Sequence, residues 1–212
     1  SEMSNPIVLG VTGASGAVYS LRLLQALVQA GRDVHLIISR AGRLVFREEL
    51  QLEIDPKTID GDGLLELASR SFQEPVRMAD QPAALGTIFW HDENDFMAPV
   101  ASGSCLTDGM VICPCSSSTL GKVAHGTGGN LIHRVADVHL KERRRLVLMP
   151  RETPLSLVML KNMQEAAAAG AVILPAMPGW YHGVESVLDL VDFIVARILD
   201  QLEIENQLMR RW

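Results

Sequence analysis

Ile7-Val8-Leu9-Gly10-Val11-Thr12-Gly13-Ala14-Ser15-Gly16-Ala17 decides the fold. An apolar, β-prone run enters a glycine-rich turn, which predicts a buried strand that ends abruptly. Leu21, Leu24, Leu27 and Val28 then recur at helical spacing, giving a helix over about 17–30 that Gly31 stops. Val34-His35-Leu36-Ile37-Ile38 follows as a second strand, ending at Ser39. Strand, helix and strand in this order form a βαβ unit, with parallel pairing and a right-handed crossover.

The pattern continues towards the C-terminus. Residues 41–50 and 130–142 read as helices, and Met110–Cys113, Leu146–Met149 and Ala171–Leu174 as strands. Thr153-Pro154 predicts a helix start, with threonine as cap and proline in the first turn. A last helix begins near Ser186, with Asp189 three residues on completing a capping box. Short apolar strands alternating with amphipathic helices predict a doubly wound α/β domain with a mostly parallel sheet, Rossmann- or flavodoxin-like. Residues 51–105, rich in Pro and Gly, read as surface excursions. One domain is expected over 7–212, with 1–6 an N-terminal extension and Ser1-Glu2 a leftover of expression.

The 212 residues carry 19 Lys+Arg against 25 Asp+Glu, a net charge of −6, and 5% are aromatic. A chain this acidic and poor in aromatic residues offers neither the basic face nor the stacking platform of a nucleic-acid binder. Cys105, Cys113 and Cys115 have neither disulfide parity nor C-x-x-C spacing, and read as small buried hydrophobes. No leader or membrane span is visible, so a cytoplasmic location is expected. His125, His133 and His139 lack zinc-site spacing, and Asp92–Asp95 lacks that of a calcium or magnesium site, so no metal is expected.

Ligands of doubly wound sheets bind at the carboxyl ends of the strands. Those ends carry Gly13-Ala14-Ser15-Gly16, Ser39-Arg40, Ser116–Thr119, Arg151-Glu152-Thr153 and Pro178–His182. The first loop departs from G-x-G-x-x-G, and Ser39 stands where a dinucleotide fold needs an acid. Two small-residue loops at neighbouring strand ends suit a mononucleotide instead. Arg151 beside Glu152 can hold a phosphate and manage a proton, although a plain structural ion pair fits the sequence equally well.

Val11–Ala17, Cys113-Pro114-Cys115-Ser116, Ala136–Arg144, Pro150-Arg151-Glu152-Thr153-Pro154 and Pro178-Gly179-Trp180-Tyr181-His182 together resemble the UbiX-type flavin prenyltransferases. The resemblance implies a metal-independent enzyme. It would join the dimethylallyl group of dimethylallyl monophosphate to N5 and C6 of reduced FMN, supplying a UbiD-type decarboxylase. It also implies a homododecamer built from trimers, with sites between subunits. Carried over by position, Gly13, Ala14, Ser15, Ser39, Ser102, Ser116, Thr119 and Arg134 would contact FMN. Lys141, Arg151, Glu152, Tyr181 and Arg197 would hold the donor phosphate, the first two from a neighbouring subunit. Ser15, Glu49 and Glu152 would move protons. Phe96 stands where the family often has tryptophan beside the prenyl chain, which implies a wider cavity.

Two other classes fit parts of the sequence. One is an FMN-dependent decarboxylase of a cysteine-containing substrate, with His125 and Asn130 as its candidates. The other is a noncatalytic FMN-binding protein, which would not need Lys141, Arg151 and Arg197 together.

Overall fold

Residues 4–79, 82 and 84–211 are described by the computed structural model. β1 (Ile7–Val11) is buried along its whole length and pairs in parallel with β2 (Val34–Ile38) and β4 (Gly109–Cys115). β3 (Ile88–His91) joins the far side of β2, and β5 (Leu146–Pro150) and β6 (Val172–Ile173) extend the sheet beyond β4. The order is β3-β2-β1-β4-β5-β6, all parallel. The chain reverses its winding between β1 and β4, where a crevice opens at the strand ends.

Both faces of the sheet are covered, as a parallel sheet requires. Ile7, Leu9 and Val11 pack against α1 (Ala17–Gln29), α3 (Gly61–Ser71) and α7 (Val187–Gln201). Val8, Met110 and Leu148 face the opposite layer of α4 (Ser117–His125), α5 (Leu131–Lys141) and α6 (Leu157–Ala168). α2 (Arg40–Leu50) places Phe46 in the first layer. The predicted capping box closes on α7: Ser186 Oγ accepts from Asp189 N, and Asp189 accepts from Ser186 N.

The structure departs from the sequence reading in three places. Residues 51–105 are not only excursions, since α3 lies in this stretch and β3 forms a sheet edge. Thr153-Pro154 does not open α6; the helix starts at Leu157, capped by the Ser156 hydroxyl on Met159 N. Within the expected extension, Asn5 and Pro6 are tied into the fold. Asn5 Nδ2 donates to Asp108, and Asp108 N donates to Pro6 O. Ser1, Glu2, Met3 and Trp212 lie outside the described residues, so the expression leftover is not placed.

A tie across the first layer has no sequence signature. Arg22 of α1 is buried and donates from Nε and Nη2 to both oxygens of Asp192 of α7, at 2.7 and 2.9 Å. Its Nη1 reaches Gln25 and the carbonyl of Glu74, and its guanidinium lies 5.2 Å from the centre of the Phe72 ring. One side chain thus fastens α1 to α7 and to the segment after α3.

Candidate active site

The ends of β1 and β4 are locked together by Thr12. Its hydroxyl donates to Pro114 O at 2.7 Å and accepts from Ser116 N at 2.8 Å. Ser39 N donates to Val11 O, which brings the end of β2 to the same point. The first turns of α1, α2 and α4 therefore converge over the crevice. Gly13 makes the convergence possible: a Cβ there would sit 2.5 Å from that of Ala41 in α2.

Each of these helix ends presents backbone N–H groups that attract anions. α1 begins after Gly16, which has no capping side chain. The Glu49 carboxylate, from the last turn of α2, fills that role at 2.9 Å from Gly16 N and 3.0 Å from Ala17 N. The Glu93 carboxylate lies 2.6 Å from Arg40 N at the start of α2 and accepts from Asn130 Nδ2. α4 is capped by its own Ser116 hydroxyl, which accepts from Thr119 N and donates to Thr119 Oγ1. Among the described residues no carboxylate is placed on α4.

Arg151 leaves β5 at this edge, and its Nε donates to Ser15 O at 3.2 Å. It makes no other hydrogen bond or ion pair among the described residues, so its terminal amino groups stay available. The Glu152 carboxylate accepts from Thr153 N. Tyr181 and His182 lie between β6 and α7, their rings packed on Phe193. The crevice thus gathers Gly13, Ala14, Ser15, Ser39, Glu49, Ser116, Thr119, Arg151 and Glu152, with Tyr181 on the same edge.

Other expected residues stand apart within one chain. Phe96 and Arg134 line a hollow of about 240 Å³ beside α5, which Asn130, the partner of Glu93, also lines, and there Arg134 pairs with Asp137. Lys141 ends α5, while Ser102 follows Ala101, whose carbonyl accepts from Arg134 Nε. A Cβ on Gly103 would lie 2.9 Å from Lys141 Nζ, and Lys141 pairs with Glu142. That end is about 16 Å from the Asn130–Glu93 junction, at 1.5 Å rise over the helix. Arg197 pairs with Asp200 at 2.8 Å, about 12 Å along α7 from the Asp189 turn. Arg151, which the resemblance drew from a neighbouring subunit, is tied to Ser15 of its own chain.

Sequence reasoning missed Glu93 and Tyr19. Tyr19 stands in the first turn of α1, where a Cβ on Gly16 would meet its ring at 3.1 Å. Burial pushes its phenol up, Cys113 adds to the rise, and the Arg151 charge pulls it back. The three histidines outside any metal pattern have other partners. His139 bridges Thr107 and Val135 O, and His125 meets Asn162. His133 Nδ1 accepts from the N–H groups of Gly129 and Asn130, completing the cap of α5. Cys113 and Cys115 are buried, and burial pushes the Cys115 thiol up to about 12, so neither serves as a nucleophile.

His133 gives a pH prediction. Burial, with the Lys122 charge beside it, lowers its pKa from 6.5 to about 4. The unfolded chain then binds a proton at higher pH than the native one. This contribution to stability is complete above about 6.5 and is lost as pH falls through about 4. His133→Gln should flatten that part of the curve of thermal midpoint against pH. An unchanged curve would assign the acid loss elsewhere.

The flavoprotein family model matches residues 1–199. A flavin prenyltransferase UbiX of Pseudomonas aeruginosa is 50% identical over 212 residues, spanning 99% of this chain and 96% of its own. The chain belongs to the flavoprotein family, among the UbiX-type flavin prenyltransferases. The UbiX of Halalkalibacterium halodurans is 46% identical over 204 residues, covering 96% of this chain and 91% of the relative. The crystal structure of AnUbiX (PadA1) in complex with FMN and dimethylallyl pyrophosphate superimposes with a TM-score of 0.81 at 37% identity, covering 99% and 98% of the two chains. A dodecameric FMN-dependent UbiX-like decarboxylase from Escherichia coli O157:H7 gives 0.79 at 36%, covering 98% of each chain. The FMN-dependent cysteine decarboxylase SpaF, at 0.52 and 16% over 81% and 83%, shares the fold alone. The residues that would serve such a decarboxylase are otherwise engaged, Asn130 capping α5 and His125 on Asn162. No helix among the described residues is long and apolar enough to cross a membrane.

Proposed function

We propose that the protein joins a dimethylallyl group from dimethylallyl monophosphate to N5 and C6 of reduced FMN, and that its product serves a UbiD-type decarboxylase in the cytoplasm. The observation that carries this reading is the tie from Arg151 to Ser15, which sets a phosphate-binding cation against the small-residue loop at the switch point. FMN is a substrate here, the acceptor of the prenyl group. The crevice fits it. Its helix ends hold carboxylates on their amides, α4 keeps a hydroxyl-lined end for a phosphate, and the glycine loop leaves the backbone approachable.

The chain's own residues then divide the work. The terminal amino groups of Arg151 hold the donor phosphate and stabilise the charge that grows on it as the allylic C–O bond breaks. Glu152, on the same turn, holds the proton that the departing phosphate needs. Ser15 and Glu49 stand at the α1 end, where the proton from C6 must leave. Lys141 ends α5 and Arg197 sits in the second half of α7, and in this reading neighbouring copies supply them, as they do the Phe96 wall. A dodecamer with sites between subunits would bring these groups together, and the dodecameric relative supports that reading. Light scattering showing an active monomer would overturn it.

Incubation with reduced FMN and dimethylallyl monophosphate should yield a flavin heavier by one five-carbon unit in the mass spectrum. Unchanged FMN would refute the reading. Arg151→Ala should weaken donor binding by about 2–5 kcal/mol if the contact is buried. FMN affinity, read from flavin fluorescence, should change little. Equal donor affinity in the variant would remove Arg151 from the phosphate site.

A further inference from the structure

Arg197 stands on the outer side of α7, between the buried Ala196 and Ile198, with 45% of its side chain exposed. A side chain this long and this exposed ordinarily samples many rotamers. An ion pair to a residue three positions along the same helix contributes little by itself. The pair with Asp200 belongs to a larger construction. Arg197 Nη1 donates to Asp200 Oδ2 at 2.8 Å, and Arg197 makes no other side-chain hydrogen bond or ion pair among the described residues. The Asp200 side chain is only 18% exposed and is held from a second direction. Arg211 donates from Nη2 to Oδ1 at 2.7 Å and from Nη1 to Oδ2 at 3.3 Å, and Asn206 Nδ2 donates to Oδ1 at 3.3 Å. The segment that carries Asn206 and Arg211 is anchored in turn. Ile204 is buried in the first layer, Asn206 forms an antiparallel bridge with Met78, and Gln207 N donates to Arg77 O at 2.8 Å.

We infer that Asp200 is a positioning residue for the donor phosphate. It fixes the guanidinium of Arg197, and Arg211 keeps it from neutralising that guanidinium. The inference rests on the reading above, in which Arg197 meets the phosphate of a donor bound to a neighbouring copy. Two features of the geometry carry it. First, Asp200 takes one end of the guanidinium and leaves Nε and Nη2 for the parallel pair of bonds that an arginine makes to a phosphate. Second, the charges do not cancel. Two guanidinium groups share one carboxylate, so the cluster stays positive towards an incoming anion. Without Arg211, Asp200 and Arg197 would form a neutral pair, and the carboxylate would compete with the phosphate for the same donors. A guanidinium that is fixed before the donor arrives also avoids the ordering cost that a free arginine meets on binding. Asp200 touches neither donor nor flavin in this arrangement and acts through Arg197.

A double-mutant cycle tests this. Asp200→Asn, Arg211→Gln, Arg197→Met and the double variant Asp200→Asn/Arg197→Met are titrated calorimetrically with dimethylallyl monophosphate in the presence of oxidised FMN, where no transfer occurs. Donor KM and kcat are then measured with reduced FMN. Asp200→Asn should raise the donor Kd by about two- to tenfold, the span expected when one flexible side chain must be ordered on binding. KM should rise more than kcat falls. Arg211→Gln should raise the donor Kd by a similar factor, because the freed carboxylate closes on Arg197. Its place in an exposed tail keeps the test decisive if Asp200→Asn folds poorly. The double variant should bind the donor as Arg197→Met alone does, since nothing is left for Asp200 to position. Losses that multiply in the double variant would make Asp200 a support of the fold and overturn the inference. Donor binding unchanged in both Asp200→Asn and Arg211→Gln would overturn it while leaving Arg197 at the phosphate. Donor binding unchanged in Arg197→Met would remove Arg197 from the phosphate site, and this inference with it, and leave the transferase reading resting on Arg151.

Discussion

Asp192→Ala is expected to cost the fold about 3–5 kcal/mol, the loss typical of removing one partner from a buried ion pair. The side chain of Arg22 is 1% exposed and that of Asp192 11%, so water cannot replace the lost carboxylate. Arg22 would keep its bonds to Gln25 and Glu74 O, but its charge would have no counterpart. The same substitution loosens the segment after α3, because the guanidinium that holds it also packs on Phe72. Urea unfolding should show a lower midpoint at an unchanged slope. The double variant Arg22→Met/Asp192→Leu should recover much of the loss, since it removes the buried charge along with the pair. An unfolding free energy within about 0.5 kcal/mol of the parent in Asp192→Ala, the range of ordinary surface changes, would show that the tie carries little stability.

That tie also shows where the sequence stops being readable. Periodicity exposes β1, β2, β4 and β5 because each is an apolar run closed by a turn signal, and the cap of α7 lies within three residues of its partner, whereas the cap that Asn130 and His133 form on α5 goes unread. β3 escapes because it is a four-residue edge strand, only partly buried, reached through a stretch rich in Pro and Gly. Arg22 and Asp192 lie 170 positions apart, and each reads alone as a charged residue on an amphipathic helix. The site divides in the same way. Ser15, Ser39 and Ser116 are legible because loops after parallel strands share one edge. Glu93 is not, since its partners Arg40 and Asn130 come from two other helices. Nor does spacing reveal where Lys141 and Arg197 stand, since Lys141 ends α5 beside Glu142 and Arg197 turns to Asp200 on α7.

Glu49→Gln should leave the protein folded and able to bind both substrates, yet slow the transfer by about 10²–10⁴-fold, the usual contribution of a general acid–base group. The geometry sets two roles against each other. As a cap, Glu49 accepts from Gly16 N and Ala17 N, and the amide oxygen of glutamine can still accept there. As a base, it must take a proton on its way from C6 of the flavin, which an amide cannot do. Glu49→Ala removes both functions and should also cost about 1 kcal/mol of stability, as the loss of a helix cap does. Comparing the two variants separates the roles. If Glu49 is the base, Glu49→Gln stops after the first of the two new bonds. The flavin then has the mass of the finished product but a different absorbance, because the ring is not closed. Rapid quenching followed by mass and absorbance spectra reads both properties. Ring-closed product at the parent rate in Glu49→Gln, with stability lost only in Glu49→Ala, would make Glu49 a cap for α1 and leave Ser15 and Glu152 to move the protons.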